Sequence, residues 1–219
     1  MDDSRALDRP AAVVLAVPEI RDYRAINQEL VRHLDRGCPS IRLTGALGQR
    51  LLASGLRGRW SAMIEIEGDA GPELAAGLDA PGLTVVCRGS AGDGAASGLK
   101  AGRVLVLGRV GTAVGYAQGG GLIMVAGTAG ARAGLGQLAG DLILIGGAGP
   151  LAGERQSGGR LIAQADLGPH AGRGRRGGRF LRLDQRREPL AESDRAALEF
   201  AFTTFASWLG PKSTSWPPG

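Results

Sequence analysis

Short aliphatic runs recur along the chain, each followed by a Gly-rich stretch: Ile64 to Ile66, Val85 to Cys87, Val104 to Leu107, Ile123 to Val125, Leu142 to Ile145 and Leu161 to Ala163. Gly48, Gly71, Gly92, Gly111, Gly130, Gly149 and Gly168 mark the same point of successive units, with steps of 23 and 21 that tighten to 19. Seven positions before these glycines stand Ile41, Ile64, Val85, Val104, Ile123, Leu142 and Leu161. Five before stand Leu43, Ile66, Cys87, Val106, Val125, Leu144 and Ala163. Both columns are apolar throughout, as are the position directly before the glycine (Leu47 to Leu167) and the one three after it (Leu51 to Ala171).

Alternate residues of a strand point to opposite faces, so the columns at minus seven and minus five share one face, and that face is the interior. A unit of 19 residues leaves no room for a strand plus an ordinary helix and shows no 3.6-residue pattern. Each unit therefore reads as one coil of short strands joined by Gly corners. The prediction is an all-β fold, a right-handed parallel β-helix of about seven coils over residues 41–183. A segment 1–40 with a strand and a capping helix precedes it, and a segment 184–219 with a helix and a mobile tail follows. Further glycines recur at steps of 19 in the columns 115, 134, 153, 172 and 102, 121, 140, 159, 178. Their expected roles are positive φ and close approach of neighbouring coils.

The ends of a solenoid leave apolar interior and unpaired strand edges open unless something covers them. Asp22 to Arg36 reads as a helix with Tyr23, Ile26, Leu30 and Leu34 on one side, Asp22 as N-cap and Gly37 as stop. Ser193 is a candidate cap for a second helix reaching Leu209, with Leu198, Ala201, Phe202, Phe205 and Leu209 at helical spacing. That helix either plugs the last coil or lies along the solenoid wall.

The outward strand positions change character along the chain. Arg42, Glu65, Thr44, Glu67 and Arg88 occupy them in the early coils, whereas Leu105, Leu107, Met124, Ile143 and Ile145 occupy them in the middle. Strands apolar on both faces are covered on both. The cover is either the second helix or a partner subunit, and the five middle residues are the candidate partner face.

Composition narrows the chemistry. The chain has 38 Gly, against a usual share of roughly 7%, yet 43% of residues are hydrophobic, which argues against disorder. The formal net charge is +5, and arginines gather near the end of the repeat. Arg173, Arg175, Arg176 and Arg179 form a candidate patch for an anionic partner. Gly172 and Gly178 within this run fall where the repeat demands glycine, so a last coil with a solvated arginine face is the simpler account. Nucleic acid ranks below an acidic partner because no aromatic ladder accompanies the arginines. Two cysteines, Cys38 and Cys87, give no disulfide framework and fit a reducing cytoplasm. The run Ala11 to Val17 is too short for a membrane span or signal peptide.

G-x-x-x-x-G-K-[ST] and G-x-S-x-G are absent. His33 and His170 have no nucleophile or second ligand at local spacing, Glu154 and Asp166 are isolated acids, and Cys87 falls in an interior column. No catalytic, cofactor-binding or metal-binding residue is assigned.

The coils written Gly-Thr-Ala-Val-Gly-Tyr-Ala-Gln-Gly-Gly-Gly (111–121) and Gly-Pro-His-Ala-Gly-Arg-Gly-Arg-Arg-Gly-Gly (168–178) resemble the G-x-G-x-G superfamily. It comprises the C-terminal β-helix of the glutamate synthase large subunit, its stand-alone relatives, and the β-helix subunit of formylmethanofuran dehydrogenase and formyltransferase/hydrolase complexes. The resemblance implies a β-helix without catalytic residues that bridges catalytic modules. An amidotransferase and an FMN and iron–sulfur synthase activity, or a formyltransferase-type one, would then sit on partner chains. The expected role is a scaffold subunit of a glutamate-synthase-like complex. A formyltransferase/hydrolase complex and a free-standing polyanion binder are the alternatives.

Overall fold

The computed structural model describes residues 13–18, 22–185 and 189–209. It is a parallel β-helix of about eight turns, whose strands form one nine-stranded sheet in sequence order. The strands are β1 (Val13–Ala16), β2 (Ser40–Gln49), β3 (Ala62–Ala70), β4 (Asp79–Cys87), β5 (Ala101–Val106), β6 (Gly119–Val125), β7 (Ala139–Leu144), β8 (Arg160–Ala163) and β9 (Arg179–Arg182). Helix α1 (Tyr23–Asp35) lies between β1 and β2, and α2 (Glu192–Leu209) follows β9. β1 extends the predicted range of 41–183, and β9 completes its last coil. β1 pairs Val13 with Ile41 across the inserted helix, and β9 pairs Arg179 with Arg160 after the last Gly corner.

The repeat register is the pairing register. Ile64 pairs with Val85, Val85 with Val104, Val104 with Ile123, Ile123 with Leu142 and Leu142 with Leu161. All fourteen residues of the two predicted interior columns have no solvent exposure. The first coil departs from this order. Bulges in β2 on either side of Ala46 and Leu47 shift its register, so Leu52 is buried in place of Leu51 and Leu47 is 84% exposed. The longer first step of the repeat is this irregularity.

After each strand the chain makes two consecutive turns, seen in the bonds Tyr116 N–H to Ala113 O (3.1 Å) and Gln118 N–H to Gly115 O (3.1 Å). Each has a positive φ at its third residue, here Gly115 (+66°) and Ala117 (+52°), which is type II geometry. The aligned glycines answer a different need. A Cβ on Gly130, whose φ is not positive, would fall 2.7 Å from the carbonyl carbon of Gly111 in the preceding coil. Of the seven, only Gly48 has positive φ (+88°), and it stands free of neighbours beside the β2 bulge.

Helix α1 covers the first coil. Asp22 Oδ1 accepts from Arg24 N–H as the N-cap, and Ile26, Leu30 and Leu34 enter the main core. Asn27 supplies what a preceding coil would have offered: its Oδ1 accepts from Ala53 N–H (2.9 Å) and its Nδ2 donates to Leu51 O (2.9 Å). In later coils the equivalent donor, such as Ala75 N–H, bonds the carbonyl of the coil before it, here Leu52. Gly37 (φ +78°) ends the helix with the bonds Gly37 N–H to Leu34 O and Cys38 N–H to His33 O, a Schellman motif.

Helix α2 lies along the wall and does not plug the last coil. Leu198, Ala201, Phe202 and Phe205 form a second core with Val86, Leu105, Leu122, Met124, Ile143 and Ile162 on the outer sheet face. The helix begins at Glu192, so Ser193 falls inside it and is not its cap. Residues 210–219, where the tail was expected, lie outside the described residues.

A Gly130→Val variant is expected to lose about 3 kcal/mol or more in denaturant unfolding, since the added side chain must push two coils apart. Ending the chain before Glu192 should leave the coils folded by circular dichroism. The bared stripe from Val86 to Ile162 should then bind a hydrophobic dye and drive aggregation measurable by light scattering.

Candidate functional site

The apolar outer stripe is the first surface expected to meet a partner, and the chain's own helix occupies it. Leu105, Met124 and Ile143 are buried under α2, and Leu107 and Ile145 pack at its margin. The candidate partner face is therefore corrected to an internal contact. Its physical reason is the wide apolar side of α2, which finds its match on the wall. Charged groups fasten the start of the helix. Asp194 in its first turn is fully buried and paired with Arg179, while Arg160 binds Asp141 (2.6 Å) and donates to Ser193 O (3.3 Å). The hydrogen bond to Asp141 is the main cause that raises the Arg160 pKa above its ordinary value. An anionic side chain at a helix N-terminus also meets the positive end of the helix dipole.

Four arginines were expected to act together at the last coil, and the structure divides them. Arg179 belongs to the α2 anchor. Arg175 turns inward, where its Nε donates to Gln156 Oε1 (3.0 Å), its Nη2 to Gly178 O (3.0 Å), and its guanidinium lies 4.8 Å from the Phe180 ring centroid. Burial lowers its pKa. Arg173 and Arg176 remain exposed, with no side-chain partner among the described residues.

Arg175 ends a feature that the sequence reading missed. Gln118, Gln137 and Gln156 are fully buried and stacked one per coil. Nε2 of Gln137 donates to Oε1 of Gln118 (3.1 Å), and Nε2 of Gln156 to Oε1 of Gln137 (3.0 Å). Each amide also satisfies corner carbonyls, as Gln137 does with Gly140 (3.1 Å) and Arg160 (3.0 Å). The same column holds Leu78 and Leu99 in earlier coils, so the ladder is an internal polar strut. Its signal was three glutamines at steps of 19.

The early coils carry a charged outer cluster. Glu65 is buried, 2.5 Å from Arg88 and 3.5 Å from Arg42, which also reaches Glu67 (3.4 Å). Glu154 pairs with Arg132 (3.2 Å) and Asp166 with Arg182 (2.6 Å). Cys87 is buried, and desolvation pushes its thiol pKa up. The expectation that His33 lacks a nearby nucleophile is corrected: the Schellman turn brings Cys38 Sγ to 4.0 Å from its Nδ1. Cys38 lines a hollow of about 440 Å³ together with Asp35, Arg59, Trp60 and Ser61. A second groove of about 440 Å³ runs between α2 and the glycine corners, lined by Lys100, Arg103, Gly121, Gly140, Asp141 and Phe200. His170 stands at a corner of the last coil with φ +61°. Among the described residues no group of three His, Cys, Asp or Glu is placed to hold a metal ion, and no helix is long and apolar enough to cross a membrane.

The family model described as GXGXG motif matches residues 16–205, nearly the whole of the described solenoid and α2. The chain belongs to the GXGXG motif family. The match takes in the C-terminal helix together with the coils, so in this GXGXG chain the wall contact falls inside the family region. No curated protein and no solved structure matches the chain.

Replacing Gln137 with Leu breaks both links of the ladder and strands two corner carbonyls. A loss of about 2 kcal/mol is expected in chemical denaturation. Arg175→Ala should cost less, because water can reach the end of the ladder.

Proposed function

We propose that this chain is a non-catalytic scaffold subunit of a multi-subunit glutamate-synthase-like amidotransferase complex. The observation that carries the reading is the GXGXG family match across the β-helix, which leaves most of the chain as stacked coils and their covers. The amidotransferase and the FMN and iron–sulfur synthase activities then belong to partner chains, and the β-helix holds them at a fixed separation. A stack of parallel strands suits that task, since each coil is rigidly registered on the last. The β-helix subunit of a formyltransferase/hydrolase complex, of the formylmethanofuran dehydrogenase type, is the other reading within the same family.

The polyanion-binding reading loses support from the arginine run, because Arg175 and Arg179 are held by Gln156 and Asp194. With α2 on the outer stripe, a scaffold's partners must use other faces, and the last coil, whose end no described residue covers, is the most distinctive one left.

Affinity purification of the tagged chain, co-expressed with the products of its neighbouring genes, checks this reading. A flavin-containing synthase chain and a glutamine amidotransferase chain are expected in stoichiometric amounts. Recovery of a formyltransferase-type chain would move the assignment to the second complex, and recovery of the chain alone would remove the scaffold role.

A further inference from the structure

Every inner coil hands backbone hydrogen bonds to the coil that follows. Ala148 N–H donates to Asp166 O (3.1 Å), Leu151 N–H to Pro169 O (2.9 Å) and Arg155 N–H to Arg173 O (2.9 Å). The same three donors recur one coil earlier as Ala129, Arg132 and Gly136, bonded to Gly147, Pro150 and Glu154. In the last coil the equivalent donors are Leu167, His170 and Gly174, and none of these N–H groups has a partner among the described residues. Among the described residues the sheet order ends at β9, which pairs with β8.

The first coil solves the mirror-image problem with α1 and Asn27. The last coil has no such cover among the described residues, because α2 lies on the wall. What surrounds its three donors is positive: Arg173 and Arg176 are exposed and carry no ion pair among the described residues, and Arg175 lies just inside. The carboxylates of the adjoining corners are already paired, Asp166 with Arg182 and Glu154 with Arg132.

We infer that the end of the solenoid left uncovered among the described residues, at Leu167, His170 and Gly174, docks an acidic segment of a partner chain, which follows the same corner and continues the coil as the next layer. Its carbonyl oxygens accept the three N–H donors, and its carboxylates meet Arg173 and Arg176. Stacking on the corner donors supplies the main-chain bonds, and charge supplies the choice of partner. A second copy is a poor occupant: end-to-end pairing would oppose two arginine clusters, and head-to-tail pairing meets an end already covered by α1. The chain's own residues 210–219 contain Lys212 and no acidic residue, so they do not match the charge either. The inference rests on the scaffold reading for the existence of a partner, but not on which complex it belongs to.

The test uses the full chain and a short, end-blocked, fluorescent peptide of alternating glutamate and glycine, free to follow the turned corner, with an alternating lysine and glycine peptide and a single-stranded oligonucleotide as comparisons. Anisotropy should show binding of the acidic peptide that weakens with salt, and amide exchange should slow at Leu167, His170 and Gly174. Arg173→Glu with Arg176→Glu, both on exposed side chains, should leave the melting temperature unchanged and weaken binding about tenfold or more. Absence of binding, binding indifferent to the double reversal, binding without protection of the three amides, or preference for the oligonucleotide would each overturn the inference. Co-purification separates the two readings. A double variant that still recovers the complex removes this docking site and leaves the scaffold role. A wild-type chain that binds the peptide with amide protection but recovers no complex does the reverse.

Discussion

Parallel stacking at the spacing of hydrogen-bonded strands is the constraint on which this molecule depends. Each residue lies about 4.8 Å from its counterpart in the next coil. A column must therefore consist of groups that tolerate their own kind as neighbours. Aliphatic side chains do so by packing, and they fill the interior. Glycine does so by having nothing to collide, as Gly130 shows against Gly111. Glutamine does so because its amide is both donor and acceptor, so Gln118, Gln137 and Gln156 bond one another in sequence. A column of like charges would not, and the one cation in that series, Arg175, stands at its end.

The same constraint explains what could be read from sequence. Interior columns, coil length, glycine corners and the capping helix α1 were legible, because a repeated contact writes itself several times and a helix face writes itself at every turn. Elements that occur once were harder. β1 joins the sheet across an inserted helix, so Val13 and Ile41 share no repeat spacing. The two bulges in β2 each shift its register by one residue, which turned Leu47 outward and put Leu52 inside. The Gln ladder was visible in principle, but a polar residue in a corner reads as solvated until the depth of the corner is known.

The surfaces were the least legible part. A stripe apolar on its outer face states that something covers it and does not state what, and α2 proved to be the cover. The arginine run was a single patch in sequence and became three roles in space. One guanidinium closes a polar ladder, one holds a helix start, and two face solvent. Proximity along the chain conveyed composition, whereas the role of each arginine follows from what it meets in space.

Helix α2 carries a further consequence for how long such a solenoid can be. Its 18 residues span about 27 Å. The outer stripe from Val86 on β4 to Leu181 on β9 crosses five strand spacings, about 24 Å. The helix is thus a ruler laid against the stack, matched to the number of apolar layers beneath it. Inserting a coil into the middle of this chain would leave one greasy layer uncovered, and deleting one would leave a turn of helix with nothing beneath it. A repeat that could in principle grow without limit has its length set by an element outside the repeat.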